Sequence, residues 1–132
     1  MNWTATFADV PFHAPDELVI ALPKPPTSNN LFINGARSGR VKSAQYRAWI
    51  KEAGWRLAEQ RPPLMAGKVA ILIEVEEPKT ARRQDVANRE KAVTDLLVSH
   101  RVIQGDDQRF VRSVTVAWAA VEGVRITIRG AE

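Results

Sequence analysis

The sequence contains no cysteine among its 132 residues. This absence excludes disulfide bonds, zinc–thiolate sites and cysteine nucleophiles. Long apolar runs are missing too: no stretch approaches the roughly 20 residues that span a bilayer. The N-terminus lacks the basic and apolar regions of a signal peptide. We therefore expect a cytoplasmic protein without a membrane anchor.

What the chain does contain is typical of a globular domain with a polyanionic partner. Hydrophobic residues make up 45% and charged residues 26%, and the length predicts a single domain. The formal net charge is +4 and the sequence pI is about 9.9. A basic balance of this kind favours nucleic acid as a partner, although it does not identify one.

The hydrophobic pattern predicts strands and helices in the order β-α-β-α-β-β. Strands are expected at 17–22, 68–77, 110–120 and 124–129, and helices at 43–60 and 85–99. Ser43 and Asp85 are the expected N-caps, and Glu122-Gly123 is typical of a hairpin turn. These elements predict an α+β fold with a mixed sheet and two principal helices. Residues 1–16 are expected to be an N-terminal extension, and 17–132 the domain.

Two connections are rich in basic residues. Residues 34–42 contain Arg37, Arg40 and Lys42 between glycines, and we expect an exposed, flexible loop there. The connection 78–84 contributes Arg82 and Arg83. Taken singly, such residues are most often solvated surface charges.

The second predicted helix carries a polar face. By the 3.6-residue period, positions 84, 87, 88, 91 and 95 lie on one side, away from an apolar side that includes Val93 and Leu97. Taken alone, this pattern is typical of an ordinary amphipathic helix with an acidic cap. Asp106 and Asp107 in a turn are likewise ordinary turn residues.

Four motifs together resemble the RusA-like endodeoxyribonucleases. Pro-Pro-Thr-Ser-Asn-Asn at 25–30 is similar to the P-P-S-N-N signature of that family. Residues 83–91, Arg-Gln-Asp-Val-Ala-Asn-Arg-Glu-Lys, resemble its R-x-D-x-D-N-x-x-K segment. Residues 92–97 and 102–108 resemble its A-x-x-D-x-L and D-D-x-x-V/I blocks. The order and spacing agree from about residue 18 to the C-terminus.

The resemblance implies a homodimeric resolvase that hydrolyses phosphodiesters at four-way (Holliday) DNA junctions during recombination and repair. It also implies Mg²⁺ as cofactor, with Mn²⁺ as a substitute; hard divalent ions of this kind prefer oxygen ligands. Carried over by position, the implied metal ligands are Asp85, Asp106 and Asp107. Lys91 is the implied catalytic lysine, acting with Asp85 and Asp107. Asn88 and Asp95 are implied to position the lysine and the ligands.

Ala87 departs from the family pattern, which has an aspartate at this position. A methyl group cannot coordinate a metal ion, so we expect folding and junction binding to persist and cleavage to fall by orders of magnitude. A deliberate inactivating substitution and a naturally degenerate lineage would both explain Ala87. Retention of the other motif positions favours the former.

Polar and basic residues lie in the loops that flank the implied metal site, and we expect them to contact DNA. Asn29 and Asn30 either contact DNA or close their turn, and the sequence does not separate these roles. The expected DNA-binding residues are Lys24, Asn29, Asn30, Arg37, Arg40, Lys42, Arg82 and Arg83. The main rival is a non-catalytic protein that binds branched DNA on the same scaffold. A protein-interaction module would show no preference for branched over linear DNA.

Overall fold

The computed structural model describes residues 16–37, 39–80 and 83–131. Its elements are, in chain order, β1 (Glu17–Leu22), β2 (Phe32–Gly35), β3 (Gly39–Lys42), α1 (Ala44–Gln60), β4 (Val69–Glu76), α2 (Glu90–Ser99), β5 (Val111–Ala119) and β6 (Val124–Gly130). Short 3₁₀ turns at Ser28–Asn30 and Val86–Arg89 precede β2 and α2. The predicted α+β class, with a mixed sheet and two principal helices, is confirmed.

The main sheet has the strand order β1-β6-β4-β5. Strand β4 pairs parallel with β5 and antiparallel with β6, and β6 pairs antiparallel with β1. The alternation predicted for β4 is confirmed, since Val69, Ile71, Ile73 and Val75 are at most 2% exposed. Burial of this apolar side against the helices is the main stabilising contribution to the fold.

Helix α1 begins as its sequence predicts. The Ser43 hydroxyl accepts a hydrogen bond of 3.0 Å from the backbone N–H of Tyr46, which satisfies one free donor of the first turn. Tyr46, Trp49, Ala53 and Leu57 form its buried stripe. The Trp49 indole N–H donates to the carbonyl of Pro23 at 2.9 Å, and so fastens the helix to the end of β1.

The expectation of a flexible loop at 34–42 was wrong. Strands β2 and β3 form an antiparallel two-stranded ribbon in which Phe32 pairs with Lys42 and Ile33 with Val41. The β-branched pair Ile33–Val41 favours an extended backbone. Gly39 adopts a φ of +70°, which a residue with a Cβ rarely does, and so allows the chain to reverse. In the sequence, the basic residues Arg40 and Lys42 on either side of Val41 obscured this strand pattern.

The predicted helix at 85–99 begins later than expected. Asp85 is extended, residues Val86–Arg89 form a 3₁₀ turn, and the α-helix starts at Glu90. The Ser28 hydroxyl donates to the carbonyl of Asn88 at 3.0 Å, so a distant contact holds this turn. Positions 84, 87 and 88 therefore do not lie on an α-helical face with 91 and 95.

The expected hairpin of the last two strands was also wrong, because β4 lies between β5 and β6. Gly123, with φ +65°, does reverse the chain. However, the connection crosses the end of β4, where the Gly123 N–H donates to Glu76 Oε1 and the Glu76 N–H donates to the Gly123 carbonyl, both at 2.8 Å. Strand β4 thus gains a partner on each side.

The division into an extension at 1–16 and a domain at 17–132 stays a prediction, because residues 1–15 lie outside the described ranges. Within those ranges, no helix has both the length and the apolar character needed to cross a membrane.

Candidate functional site

A cleft of about 570 Å³ opens between the turn at 27–30 and the segment 83–89. It joins two of the sequence motifs, which are more than fifty residues apart. Every residue that lines it is polar or charged: Thr27, Asn29, Asn30, Arg83, Gln84, Asp85, Asn88 and Arg89. The cleft therefore suits a charged, hydrogen-bonding ligand rather than an apolar one.

Side chains from both segments hold the cleft together. Besides the Ser28–Asn88 contact, Ser43 donates from its hydroxyl to the Asn30 carbonyl at 2.7 Å. The Asn30 amide donates to Thr27 Oγ1 at 3.1 Å. Asn29 and Asn30 are exposed, whereas the preceding Pro25 and Pro26 are buried and anchor the turn. Asn30 thus closes its turn, and its exposure leaves it within reach of a ligand as well.

Arg89 is a cleft residue that the sequence reasoning did not select. Its guanidinium donates to the carbonyl of Pro25 and, at 2.8 Å, to Gln84 Oε1. Both acceptors are neutral, and burial lowers the pKa of Arg89. Its Nε atom is buried and has no hydrogen-bond partner among the described residues. The sequence held one indication of this residue, because an arginine in the first turn of the predicted helix is unfavourable for the helix dipole, but that does not identify its partners.

Lys91 and Asp95 meet as their spacing predicts. Lys91 Nζ lies 3.1 Å from Asp95 Oδ2, one helical turn along α2. The hydrogen bond and the charge of Asp95 raise the pKa of Lys91, and the charge of Asp106 adds to this effect. Lys91 does not line the cleft that contains Asp85.

Asp107, expected to be a metal ligand, is paired with an arginine instead. Arg109 donates to its carboxylate from Nε at 3.0 Å and from a terminal nitrogen at 2.8 Å, and the Arg109 backbone N–H adds a bond of 2.9 Å. These contacts lower the pKa of Asp107 to about 2. The carboxylate is ionised but already paired.

The expected DNA-binding cations fall into separate places. Arg37, Arg40 and Lys42 are exposed on the β2–β3 ribbon, and Arg83 is exposed at the cleft. Lys24 is half-buried, with Nζ 5.6 Å from the centre of the Trp118 ring, and burial lowers its pKa. Arg82 lies outside the described residues.

Comparison with known protein families identifies the family of the chain. The model of the family described as "Endodeoxyribonuclease RusA" matches residues 23–129, most of the 132-residue chain. The chain belongs to the RusA family. A search of curated proteins finds no match. RusA-family proteins are in general Holliday junction resolvases that act on branched DNA and depend on a divalent metal.

The carboxylates of this RusA-family chain do not, as arranged, fit a metal centre. Within residues 16–37, 39–80 and 83–131 there is no group of three or more His, Cys, Asp or Glu side chains placed to hold an ion. Asp85 lines the cleft, Asp106 lies within electrostatic reach of Lys91, and Asp107 is paired with Arg109. Ala87, between Asp85 and Asn88, is exposed and offers only a methyl group.

Proposed function

We propose that this protein binds four-way DNA junctions as a homodimer and cuts them in a Mg²⁺-dependent hydrolysis, for which Mn²⁺ can substitute, at a rate reduced by Ala87. The observation that carries the proposal is the polar cleft, because it assembles two family motifs from distant parts of the chain. The setting would be recombination and repair in the cytoplasm of a bacterial or phage-infected cell. Two equivalent subunits would match the two strands to be cut.

The side chains around the cleft suit a DNA backbone. The amides of Asn29, Asn30 and Asn88 can donate hydrogen bonds to phosphate oxygens, and Arg83 can donate two from a planar guanidinium. In this proposal Lys91 supplies a positive charge to the DNA backbone, and its ammonium group is held by Asp95 at 3.1 Å. Asp95 positions that lysine.

Ala87 is the residue on which the cleavage rate depends. It is exposed on the 3₁₀ turn that also carries Asn88, directly after Asp85 and Val86. Because the position is exposed, an aspartate here would place a carboxylate at the surface two residues from Asp85. We propose that this missing carboxylate is what leaves the acidic residues unable to act together.

The test is a cleavage assay on four-way junctions with the Ala87→Asp variant beside the parent protein. We expect cleavage in Mg²⁺ to rise by at least about 10²-fold, with junction affinity in a chelator unchanged. Ala58→Asp, which adds the same charge at an exposed position of α1, is the control and should not gain activity. Equal rates for Ala87→Asp and the parent would refute the role given to Ala87.

A second candidate is a non-catalytic protein that binds branched DNA on the same scaffold. The pairing of Asp107 with Arg109 favours it, because this pairing occupies an expected ligand. This candidate predicts junction binding that is insensitive to chelator and no gain of cleavage in Ala87→Asp. The same assay therefore distinguishes the two functions.

A further inference from the structure

The β2–β3 ribbon has an apolar outward face. Successive residues of a strand point to opposite sides, and the Phe32 ring packs against Tyr46 with centroids 5.8 Å apart. Ile33 therefore points away from the body of the protein, and its side chain is 54% exposed. Val41, its partner in the ribbon, lies on the same face and is only half-buried.

The ribbon is fixed beside the cleft. Leu31 is 2% exposed, and its carbonyl accepts a hydrogen bond of 2.8 Å from the Ser43 N–H. Ser43 also binds the carbonyl of Asn30, which lines the cleft. The residues directly before β2 and directly after β3 are held in this way. The position of Ile33 relative to the cleft is therefore fixed.

The segment that carries Ile33 is basic. Residues 18–51 contain six Lys or Arg and no Asp or Glu. Arg37 is exposed in the turn between the two strands. Arg40 and Lys42 pair with Asn34 and Phe32 and so lie on the other side of the ribbon from Ile33, where the Arg40 guanidinium is 5.4 Å from the Phe32 ring centre. The ribbon therefore has an apolar side and a basic side, and the charge of the whole segment complements a polyanion.

We propose that the β2–β3 ribbon recognises the branch point of the junction, with Ile33 placed against unstacked bases and the ribbon cations on the adjacent phosphates. Apolar side chains on basic surfaces act in this way where a duplex is kinked or opened. At a branch point, bases are already free of part of their stacking, so less unstacking is required than in a continuous duplex. The ribbon thereby selects branched DNA. This inference rests on the proposed junction binding.

The test compares Ile33→Ser with Val19→Ser, because Val19 on β1 is 53% exposed and so loses a similar apolar surface elsewhere. Affinities for a four-way junction and a linear duplex of equal length are measured in a chelator, with 2-aminopurine at the branch point. We expect Ile33→Ser to weaken junction binding about 10-fold. It should also abolish the rise in 2-aminopurine fluorescence that accompanies unstacking of the bases when the parent protein binds. Duplex binding should be unchanged, and Val19→Ser should behave like the parent.

Other outcomes would overturn the proposal. An equal loss on junction and duplex would make Ile33 a general contact, and a change in oligomeric state would make the ribbon an interface between copies. Ile33→Thr keeps the β-branched shape and provides the same measurement if serine disturbs the ribbon. If the parent itself shows no preference for junctions, the proposed function fails rather than this inference alone.

Discussion

Two arginines, Arg89 and Arg109, determine how the residues of the candidate site are arranged. Arg89 joins the Pro25 carbonyl to Gln84 and so connects the two walls of the cleft through neutral acceptors. Arg109 pairs with Asp107 and takes one carboxylate out of the expected set. Neither residue was selected from the sequence, because each acts through geometry that motif spacing does not contain.

At the residue scale, Arg109→Gln should raise the pKa of Asp107 from about 2 towards its usual value of 3.8. It should stop short of 3.8 because the backbone N–H of residue 109 still donates to the carboxylate. The measurement is a pH titration of the Asp107 carboxyl carbon by NMR. Arg125→Gln, which removes the partner of Glu74 instead, is the control. An unchanged pKa in Arg109→Gln would contradict the assigned cause.

The sign of the associated pH dependence follows from the lowered pKa. A carboxyl whose pKa is depressed in the folded state contributes stability above its unfolded pKa, near 3.8, and loses it as the pH falls through about 2. The pair lies at the surface, so its contribution to the free energy of unfolding is small. Arg109→Gln should therefore lower the neutral plateau slightly and flatten the acid limb of the stability curve, and the two proteins should converge in stability below about pH 2.

At the element scale, the sequence predicted the positions of the buried strands and of α1 because burial imposes strict periods. The apolar alternation at 69–75 and the apolar stripe on α1 both follow from which side of the element faces the core. The start of α2 was not predictable in this way, since a contact from Ser28 holds Asn88 in a 3₁₀ turn. The position of β4 between β5 and β6 was likewise hidden, because local turn residues do not specify which strands pair.

The connection between β5 and β6 provides a test of the close approach of this turn to the end of β1. A Cβ on Gly123 would lie 2.5 Å from the Leu22 carbonyl oxygen, whereas one on Gly67 meets nothing within 4 Å; both residues have positive φ. Gly123→Ala should therefore lower the free energy of unfolding by about 1–3 kcal/mol more than Gly67→Ala. The measurement is urea unfolding of both variants. Equal losses would show that only the backbone conformation matters.

For the whole molecule, net charge and its distribution govern association with DNA. The excess of +4 is unevenly spread, with Lys24, Arg37, Arg40 and Lys42 in a segment free of acidic residues. If these four cations neutralise four phosphates, junction affinity should fall about 10²-fold between 50 and 200 mM salt. The measurement is a salt titration of binding. Replacing Arg40 by alanine should reduce the slope by about one, and an unchanged slope would remove Arg40 from the contact surface.

The strand order has a further consequence for synthesis of the chain on the ribosome. Strand β1 is made early, yet it pairs with β6, whose residues 124–130 are made more than a hundred residues later. The main sheet cannot close before β6 has left the exit tunnel, so the cleft that depends on this framework forms only afterwards. Until then, a nascent chain has the residues of the cleft without the sheet that positions them.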